Sequence, residues 1–183
     1  AMRAMGRIVK GLLSKSSTTI ETKTSGEISL RTFHFSRPVD CDFFFHMNNC
    51  MYFRHAELAR WELLPRTGIL QAALKHKWMF LVVVRISFVW HINPTHDTHW
   101  QSQEADYLLP LPPLTKFAVR TTATTDETNK YLYFKHDFVS EDGETLYCKA
   151  NVKAIVKEMS GKSKGKTVRP RHMQSLTSMQ WLS

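Results

Sequence analysis

The residues best equipped for chemistry are crowded into one short segment, DCDFFFHMNNCMY, at positions 40–52. Asp42 is a candidate carboxylate because it precedes a predicted helix, whose first backbone N–H groups create a positive field. A local role competes with this one, since Asp and Asn ahead of a helix commonly cap its backbone donors. Asp40 lies nearer the preceding strand and is predicted to shape the turn. Spacing alone therefore favours a capping role for Asp42 and leaves a catalytic carboxylate as the alternative.

Neutral polar side chains and three phenylalanines complete this segment. His46, Asn48 and Asn49 could bind a substrate carbonyl or orient a carboxylate. They could equally shape the turn and cap the helix. Phe43–Phe45 are hard to bury together in a short loop, so they are expected to plug the core, to line an apolar ligand channel or to contact a partner subunit.

Other chemistries have weaker support in the sequence. Cys50 and His55 lie close together on the predicted helix, but that spacing is poor evidence for a thiol nucleophile. One group of side chains could in principle bind a metal: His91, His96, Asp97 and His99. Their spacing matches no metal signature and the stretch looks like a loop, so no metal site is predicted. No GxSxG elbow, Walker loop or GxGxxG motif occurs in the chain.

The surrounding elements must position these residues, and the first of them predict a strand followed by a long helix. Residues 26–35 alternate as a strand does. Apolar residues then recur at helical spacing from position 52 to position 63, with Asn48 or Asn49 as the N-cap. Pro65 and Gly68 are predicted to end this helix. A second short helix is expected in ILQAALKHK, residues 69–77.

Strand patterns dominate from Trp78 onward. Four stretches alternate in polarity: WMFLVVVRISFVWHI, LTKFAVRTTATT, KYLYFKHDFVS and TLYCKANVKAIVKE. Residues 93–113 between them form either a long loop or a loop with one short strand around Tyr107. The order predicts an α+β fold in which a curved antiparallel sheet wraps around the long helix. One helix cannot cover every apolar strand face, so pairing with a second copy is expected.

The distribution of charge argues against a nucleic-acid partner. The formal net charge is +9, but residues 31–156 hold fourteen Lys and Arg against thirteen acids. A DNA-binding domain is expected to carry its basic stripe on the folded body. The excess lies in a basic leader, residues 1–25, and a basic tail, residues 159–183, which flank a predicted domain at 26–158.

Three features of the sequence bear on where the protein is located in the cell. No apolar run approaches the ~18 residues that span a bilayer, so stable membrane insertion is not predicted. Three cysteines without paired metal spacing favour a reducing, intracellular environment. Residues 2–19 contain basic residues but no acid, which is typical of a mitochondrial transit peptide; a disordered basic leader on a cytoplasmic protein is the alternative.

The segment DCDFFFHMNNCMYFRHAELAR resembles the D-x-D-x-x-x-H-x-N-N-x-x-Y stretch of hotdog-fold thioesterases of the 4-hydroxybenzoyl-CoA thioesterase type. It looks most similar to the eukaryotic branch called thioesterase superfamily member six. The residues on this pattern are Asp40, Asp42, His46, Asn48, Asn49 and Tyr52. The likeness covers roughly residues 26–158 and includes the hairpin VSEDGETLYCKA.

The resemblance implies a fold, an activity and roles for these residues. The fold is the hotdog, assembled as a homodimer or a dimer of dimers with active sites at the subunit interface. Asp42 would be the catalytic carboxylate, acting as nucleophile or as general base for a water. Backbone N–H groups near Asn48 to Cys50 would polarise the thioester carbonyl. His46, Asn48, Asn49, Cys50 and Tyr52 would together form the substrate-binding set.

The implied reaction is the hydrolysis of an acyl-CoA to the free acid and CoA, as in lipid metabolism. It requires no metal and no cofactor other than the CoA of the substrate. The alternative is a non-catalytic hotdog module that binds acyl-CoA, lipid or a partner protein. A hotdog hydratase is disfavoured, because HMNN lacks the paired catalytic His and Asp of those enzymes.

Overall fold

An eight-stranded antiparallel sheet packs against one long helix in the computed structural model, which describes residues 18–22, 28–82, 103–125 and 127–177. The strands are β1 (Thr18–Thr22), β2 (Ile28–Phe35), β3 (Trp78–Val82), β4 (Gln103–Tyr107), β5 (Lys116–Thr125), β6 (Leu132–Ser140), β7 (Leu146–Glu158) and β8 (Thr167–Val168). The helices are α1 (Asn49–Arg66), α2 (Ile69–His76) and α3 (Pro170–Ser175). Single 3₁₀ turns occur at Pro38–Asp40 and Gly161–Ser163.

Strand β7 organises the sheet, whose main order is β1-β2-β5-β6-β7-β3. Along one side of β7, β4 pairs with residues 148–152 and β3 pairs with residues 154–158, so these two strands lie end to end. Along its other side, β6 is followed by the short β8. A long interval in the sequence separates β3 from β4, and both strands pair with β7. A short strand does end at Tyr107, as one of the two alternatives for residues 93–113 predicted.

The helix α1 lies against the sheet through the apolar stripe that its sequence predicts. Tyr52, Ala56, Ala59 and Leu63 are all buried, and α1 contacts β2, β5 and β7. The two alanines have no exposed surface, and their small side chains let the helix approach the strands closely. The predicted α+β arrangement is confirmed.

The ends of the helices follow local signals. The side-chain oxygen of Asn48 accepts a hydrogen bond from the Cys50 amide at 3.0 Å, so Asn48 rather than Asn49 is the N-cap. Pro65 lies inside the last turn of α1, which continues to Arg66. Gly68 then adopts a φ of 76°, a left-handed conformation that glycine accepts without steric cost, and α2 begins directly after it.

The packed structure extends beyond both predicted boundaries of the domain. On the N-terminal side, β1 lies within the predicted leader and pairs with β2. On the C-terminal side, β8 and α3 lie within the predicted basic tail, and their Val168 and Met173 belong to the main apolar cluster. The tail contains few apolar residues among its basic ones, so its composition did not indicate that part of it packs into the core.

Several predictions fall on parts of the chain outside the described residues. These are most of the basic leader, the second half of the strand predicted from Trp78, and the four residues His91, His96, Asp97 and His99. Among the described residues, no helix combines the length and the apolar composition needed to cross a membrane.

We expect Met173→Ala to lower the free energy of unfolding by about 2–5 kcal/mol, because it empties space that a fully buried side chain fills. Urea unfolding measures the effect, with Met159→Ala as the control because Met159 is exposed. Equal stability of the two variants would show that the C-terminal segment does not belong to the core.

Candidate functional site

The candidate residues lie on the loop between β2 and α1, which is folded back on itself. Cys41 and Met47 form an isolated antiparallel bridge across it. Within this bridge the Asp42 amide donates to the His46 carbonyl at 2.8 Å, and the Phe45 amide donates to the Asp42 carbonyl at 3.1 Å. Phe45 adopts a φ of 59°, a left-handed conformation that few non-glycine residues occupy. The loop therefore presents Asp42 from a tight turn with many internal hydrogen bonds.

The carboxylate of Asp42 is exposed and only half engaged. Its Oδ1 accepts hydrogen bonds from the amides of Phe44 at 2.9 Å and His46 at 3.4 Å. Its Oδ2 has no hydrogen-bond partner among the described residues. Asp42 thus caps the amides of its own turn and still has one oxygen directed elsewhere.

The start of α1 offers one backbone donor. The Cys50 amide is already bonded to the side chain of Asn48, and the Met51 amide donates to the Asn48 carbonyl at 2.8 Å. The amide of Asn49 finds no acceptor in the part of the chain that the structure describes. The donors expected between Asn48 and Cys50 therefore reduce to the N–H of Asn49, the first residue of the helix.

A pocket of about 260 Å³ is lined by both Asp42 and Asn49. Its lining combines the loop, the first turn of α1 and the end of β4: Asp42, His46, Met47, Asn49, Tyr52, Tyr107, Leu108, Leu109 and Pro110. Asp42, His46, Asn49 and Tyr52 are thus brought together as the sequence pattern suggests. Asn48 and Cys50 do not line the pocket. Asn48 caps the helix, and the thiol of Cys50 is exposed.

The sequence pattern missed the half of the pocket that β4 contributes. Its only local signal is the run YLLPLPP, in which apolar side chains persist where a surface loop was one alternative. The Tyr107 ring stands edge-on to the Tyr52 ring with centroids 5.2 Å apart, and Tyr52 makes the same kind of contact with Phe138 at 5.1 Å. The Tyr107 hydroxyl donates to the Asn49 carbonyl at 3.4 Å. One wall of the pocket is therefore a series of edge-on aromatic contacts that continues into the core.

The three phenylalanines lie outside the pocket. Phe43, Phe44 and Phe45 are 92%, 75% and 75% exposed. They do not plug the core, so that alternative is wrong, and they are not among the residues that line this pocket. An apolar ligand channel outside this pocket and contact with a partner subunit stay as predictions.

Asp40 anchors the loop instead of merely shaping a turn. Its buried carboxylate accepts from Arg37 Nε at 2.9 Å, Arg37 Nη2 at 2.8 Å and Arg54 Nη1 at 3.3 Å. Its backbone carbonyl accepts from the Asn48 amide at 2.9 Å. The hydrogen bonds from Arg37 hold the pKa of the Asp40 carboxyl below its usual value. One residue thus joins the start of the loop, its end and the second turn of α1.

A chain of polar side chains continues from Asp40 beneath the helix. His55 Nε2 lies 3.9 Å from Asp40 Oδ2, and His55 Nδ1 lies 3.2 Å from His34 Nδ1. His34 Nε2 lies 2.8 Å from the Thr32 hydroxyl. Burial lowers the pKa of His34 to about 3 and that of His55 to about 4, so both rings are neutral at neutral pH. His55 is therefore engaged with His34 in the interior and is not an exposed partner for Cys50.

The family of the chain can be stated on this basis. The model of the thioesterase-like superfamily matches residues 36–175, and the chain belongs to that superfamily. Its fold is the hotdog, as expected, with the antiparallel sheet as the outer layer around α1. The match ends at Ser175, where α3 also ends, and so includes the C-terminal segment that packs into the core.

Solved structures share this fold at low sequence identity. YbaW, a probable thioesterase from Escherichia coli, is 16% identical with a TM-score of 0.61, covering 80% of this chain and 95% of its own. Slr0204, a 1,4-dihydroxy-2-naphthoyl-CoA thioesterase from Synechocystis, is 12% identical with a TM-score of 0.57, covering 80% and 93%. SAV2348 from Staphylococcus aureus, solved in complex with CoA, is 14% identical with a TM-score of 0.55, covering 79% and 78%. No curated protein sequence gives a significant match.

We expect Asp40→Asn to lower the free energy of unfolding by about 1.5–3 kcal/mol, since it removes a buried charge that accepts hydrogen bonds from two guanidinium groups. Urea unfolding at neutral pH measures this. Asp106→Asn is the control, because that carboxylate is on an exposed part of β4. A loss no larger than that of the control would contradict an anchoring role.

The buried histidines predict a pH dependence of stability. In the folded protein the pKa values of His34 and His55 lie below the ordinary histidine value of 6.5. At pH values between the folded pKa and 6.5, the unfolded chain therefore binds more protons than the folded protein. The free energy of unfolding is therefore highest above pH 6.5, and it decreases by about 1–3 kcal/mol as the pH falls toward 4. His34→Leu should reduce this dependence in urea unfolding curves, with His55 and the fully buried His136 still contributing to it, whereas exposed His172→Gln should retain it. Equal slopes in both variants would contradict the prediction.

Proposed function

We propose that this protein hydrolyses acyl-CoA thioesters to the free carboxylic acid and CoA. One observation carries the proposal: Asp42, whose Oδ2 has no hydrogen-bond partner among the described residues, and Asn49, whose amide has no acceptor there, line the same pocket. A carboxylate beside a free N–H group is the pair of functions that acyl transfer requires, one for attack and one for the developing oxyanion.

Two routes are consistent with this pair. As a general base, Asp42 takes a proton from a water whose oxygen attacks the thioester carbonyl carbon. As a nucleophile, its carboxylate forms an acyl anhydride that water then hydrolyses. On either route the oxygen of the tetrahedral intermediate accepts a hydrogen bond from the Asn49 amide. Collapse of that intermediate breaks the carbon–sulfur bond and releases CoA as a thiolate, which takes up a proton.

The other motif residues serve this geometry in different ways. Tyr52 presents its ring to the acyl group as part of the pocket wall, and His46 forms the side next to Asp42. Asn48 contributes indirectly, because its cap fixes the first turn of the helix and leaves the Asn49 amide unbonded. Cys50, exposed at the same turn, belongs to the substrate-binding set that the resemblance implies. The reaction needs no metal and no cofactor beyond this CoA.

The finer assignment is to enzymes of the 4-hydroxybenzoyl-CoA thioesterase type, and within them to the branch of thioesterase superfamily member six. The D-x-D-x-x-x-H-x-N-N-x-x-Y pattern supports it, with Asp42 in place of the catalytic carboxylate. The substrate class is supported by the CoA complex of SAV2348 and by the 1,4-dihydroxy-2-naphthoyl-CoA thioesterase Slr0204.

We also propose that two copies associate, as the resemblance implies. One edge of the described sheet is formed by β3 and β4, which pair only with β7 among the described residues and so present backbone groups for a further strand. Met79 and Leu81 are both 43% exposed on β3, which supplies apolar surface at this edge. The exposed side chains of Phe43–Phe45 are a further surface for contact with a partner subunit.

We expect Asp42→Asn to reduce kcat for acyl-CoA hydrolysis by about 10²–10⁴-fold, because an amide can neither accept the proton nor attack. Release of CoA thiol from aromatic, short and long acyl-CoAs measures this, and the thermal unfolding temperature checks the fold. Asp142→Asn is a matched control, since Asp142 is another exposed aspartate that accepts a backbone amide in a turn, from Glu144 at 3.0 Å.

Unchanged turnover in Asp42→Asn would remove Asp42 as the catalyst. Calorimetric binding of acyl-CoA by the wild type, without thiol release from any substrate, would instead favour the non-catalytic hotdog module. That alternative is favoured by one observation, namely that Asp42 Oδ1 already serves the amides of its own turn.

A further inference from the structure

The fold gathers the basic residues of the C-terminal segment at one end of the sheet, next to the end of α2. Strand β8 pairs with the last residues of β7, and α2 contacts α3. The Trp78 ring contacts the rings of His76 and His172, with centroids 5.0 Å and 6.4 Å away. Residues 74–77 and 157–176 therefore form one surface region, which we call the basic end.

The basic end carries a large excess of positive charge. It contains eight Lys and Arg residues and a single acid, Glu158. Seven of the eight basic side chains are exposed, and none of these seven forms an ion pair with a described residue: Lys75, Lys77, Lys162, Lys164, Lys166, Arg169 and Arg171. Several positive charges on different segments thus face solvent without a counter-charge from the protein.

Apolar side chains are exposed among these charges. Leu74 is 72% exposed on α2, Met159 is 40% exposed after β7, and Leu176 is 43% exposed at the end of α3. Met159 lies beside the end of α2, because its amide donates to the Lys77 carbonyl at 2.9 Å. A surface that combines Lys and Arg with aliphatic side chains has the composition of proteins that bind at the interface of an anionic bilayer.

Other anionic or apolar partners match this surface less well. A nucleic acid would use the positive charges and stacking aromatic rings but not exposed aliphatic side chains, and the half-buried Trp78 ring already contacts two histidines. A second copy of the chain would bring the same positive charges to a shared symmetric interface, where they would repel. A single phosphate compound needs converging donors, whereas these side chains are exposed and distributed over three elements.

We propose that the basic end binds the surface of an anionic phospholipid bilayer. The Lys and Arg side chains lie at the level of the headgroups, and the three exposed apolar side chains enter the interface between the headgroups and the acyl chains. This association is peripheral, and it is independent of the proposed hydrolysis.

The sheet register separates this surface from the candidate active site. Tyr107, which lines the pocket, pairs with Cys148, whereas Trp78 pairs with Glu158, ten residues further along β7. At a rise of about 3.3 Å per residue, the two ends of this stretch of β7 are about 30 Å apart. A protein bound through the basic end therefore keeps its pocket accessible to substrate.

Cosedimentation of the full chain with vesicles tests the proposal. Vesicles of phosphatidylcholine containing about one phosphatidylserine in four lipids should bind the protein, and vesicles of phosphatidylcholine alone should not. Binding should fall by at least about tenfold when the salt is raised from about 0.1 M to about 1 M, because the Debye length shortens from about 10 Å to about 3 Å.

Charge reversal identifies the surface that binds. The double variant Lys162→Glu, Lys164→Glu should bind the anionic vesicles at least about 25-fold more weakly, at about fivefold for each basic residue removed from the surface. The double variant Lys135→Glu, Lys149→Glu is the matched control, because it changes the net charge equally at exposed positions on β6 and β7. It should retain most of the binding.

An apolar substitution separates membrane binding from attraction to any polyanion. Leu74→Ser should weaken binding to anionic vesicles by about fivefold or more, since a leucine side chain is withdrawn from the interface. Leu114→Ser, at a residue that is 66% exposed outside the basic end, should have no effect. Thermal unfolding checks that each variant is folded.

Three results would overturn the proposal. The first is the absence of binding to anionic vesicles at low salt. The second is undiminished binding by Lys162→Glu, Lys164→Glu, which would assign the attraction to another part of the chain. The third is tighter binding of a fluorescent RNA duplex than of vesicles, lost in the same double variant and unaffected by Leu74→Ser. Release of CoA thiol without vesicles should be the same in this variant and the wild type, so the outcome does not depend on the proposed activity.

Discussion

The buried carboxylate of Asp40 is the interaction on which the arrangement of the site depends. A charge without exposed surface is unfavourable unless hydrogen bonds and counter-charges surround it. Arg37 and Arg54 supply both, one from the start of the loop and one from α1. Because the Asp40 carbonyl also holds the Asn48 amide, satisfying one buried group fixes the loop against the helix. The hydrogen bonds of Asp40 therefore also restrict the position of Asp42, two residues further along the chain.

The polar groups beneath the helix show how the same interior accommodates Asp40 without additional charge. His34 and His55 lie between β2 and α1, where burial keeps both rings neutral. Neutral rings can donate and accept, so Thr32, His34 and His55 can form a hydrogen-bonded series that ends near Asp40. The charge of Asp40 is thereby balanced mainly by the two arginines, whose outer parts remain in solvent.

The candidate active site combines residues from three kinds of structural element. The carboxylate is on a loop, the amide is at the start of α1, and the wall is an aromatic side chain at the end of β4. Strand β7 joins these parts, because β4 pairs with it directly and it also contacts α1. A loop that carries catalytic groups on a rigid sheet and helix is a common division of labour in proteins. Here the loop is itself restrained, through its internal bridge and through Asp40.

The sequence by itself determined the local elements and part of the site. Apolar spacing located α1 and its buried face, Asn48 supplied its cap, and alternation located the strands that follow, because these signals act between near neighbours in the chain. The same segment brought Asp42, His46 and Asn49 into one loop and helix start.

Only the tertiary structure decided what packs against these elements. Tyr107 lies more than fifty positions from Asp42 in the chain, and register with β7 brings its ring to the pocket. Asp40 gave no sign of burial, because its partner Arg54 is on the next element. The burial of Val168 and Met173 was not predicted either, since these two apolar residues stand among the basic residues of the tail. Periodicity records which face of an element is apolar, but the identity of the surface it meets is a property of the whole fold.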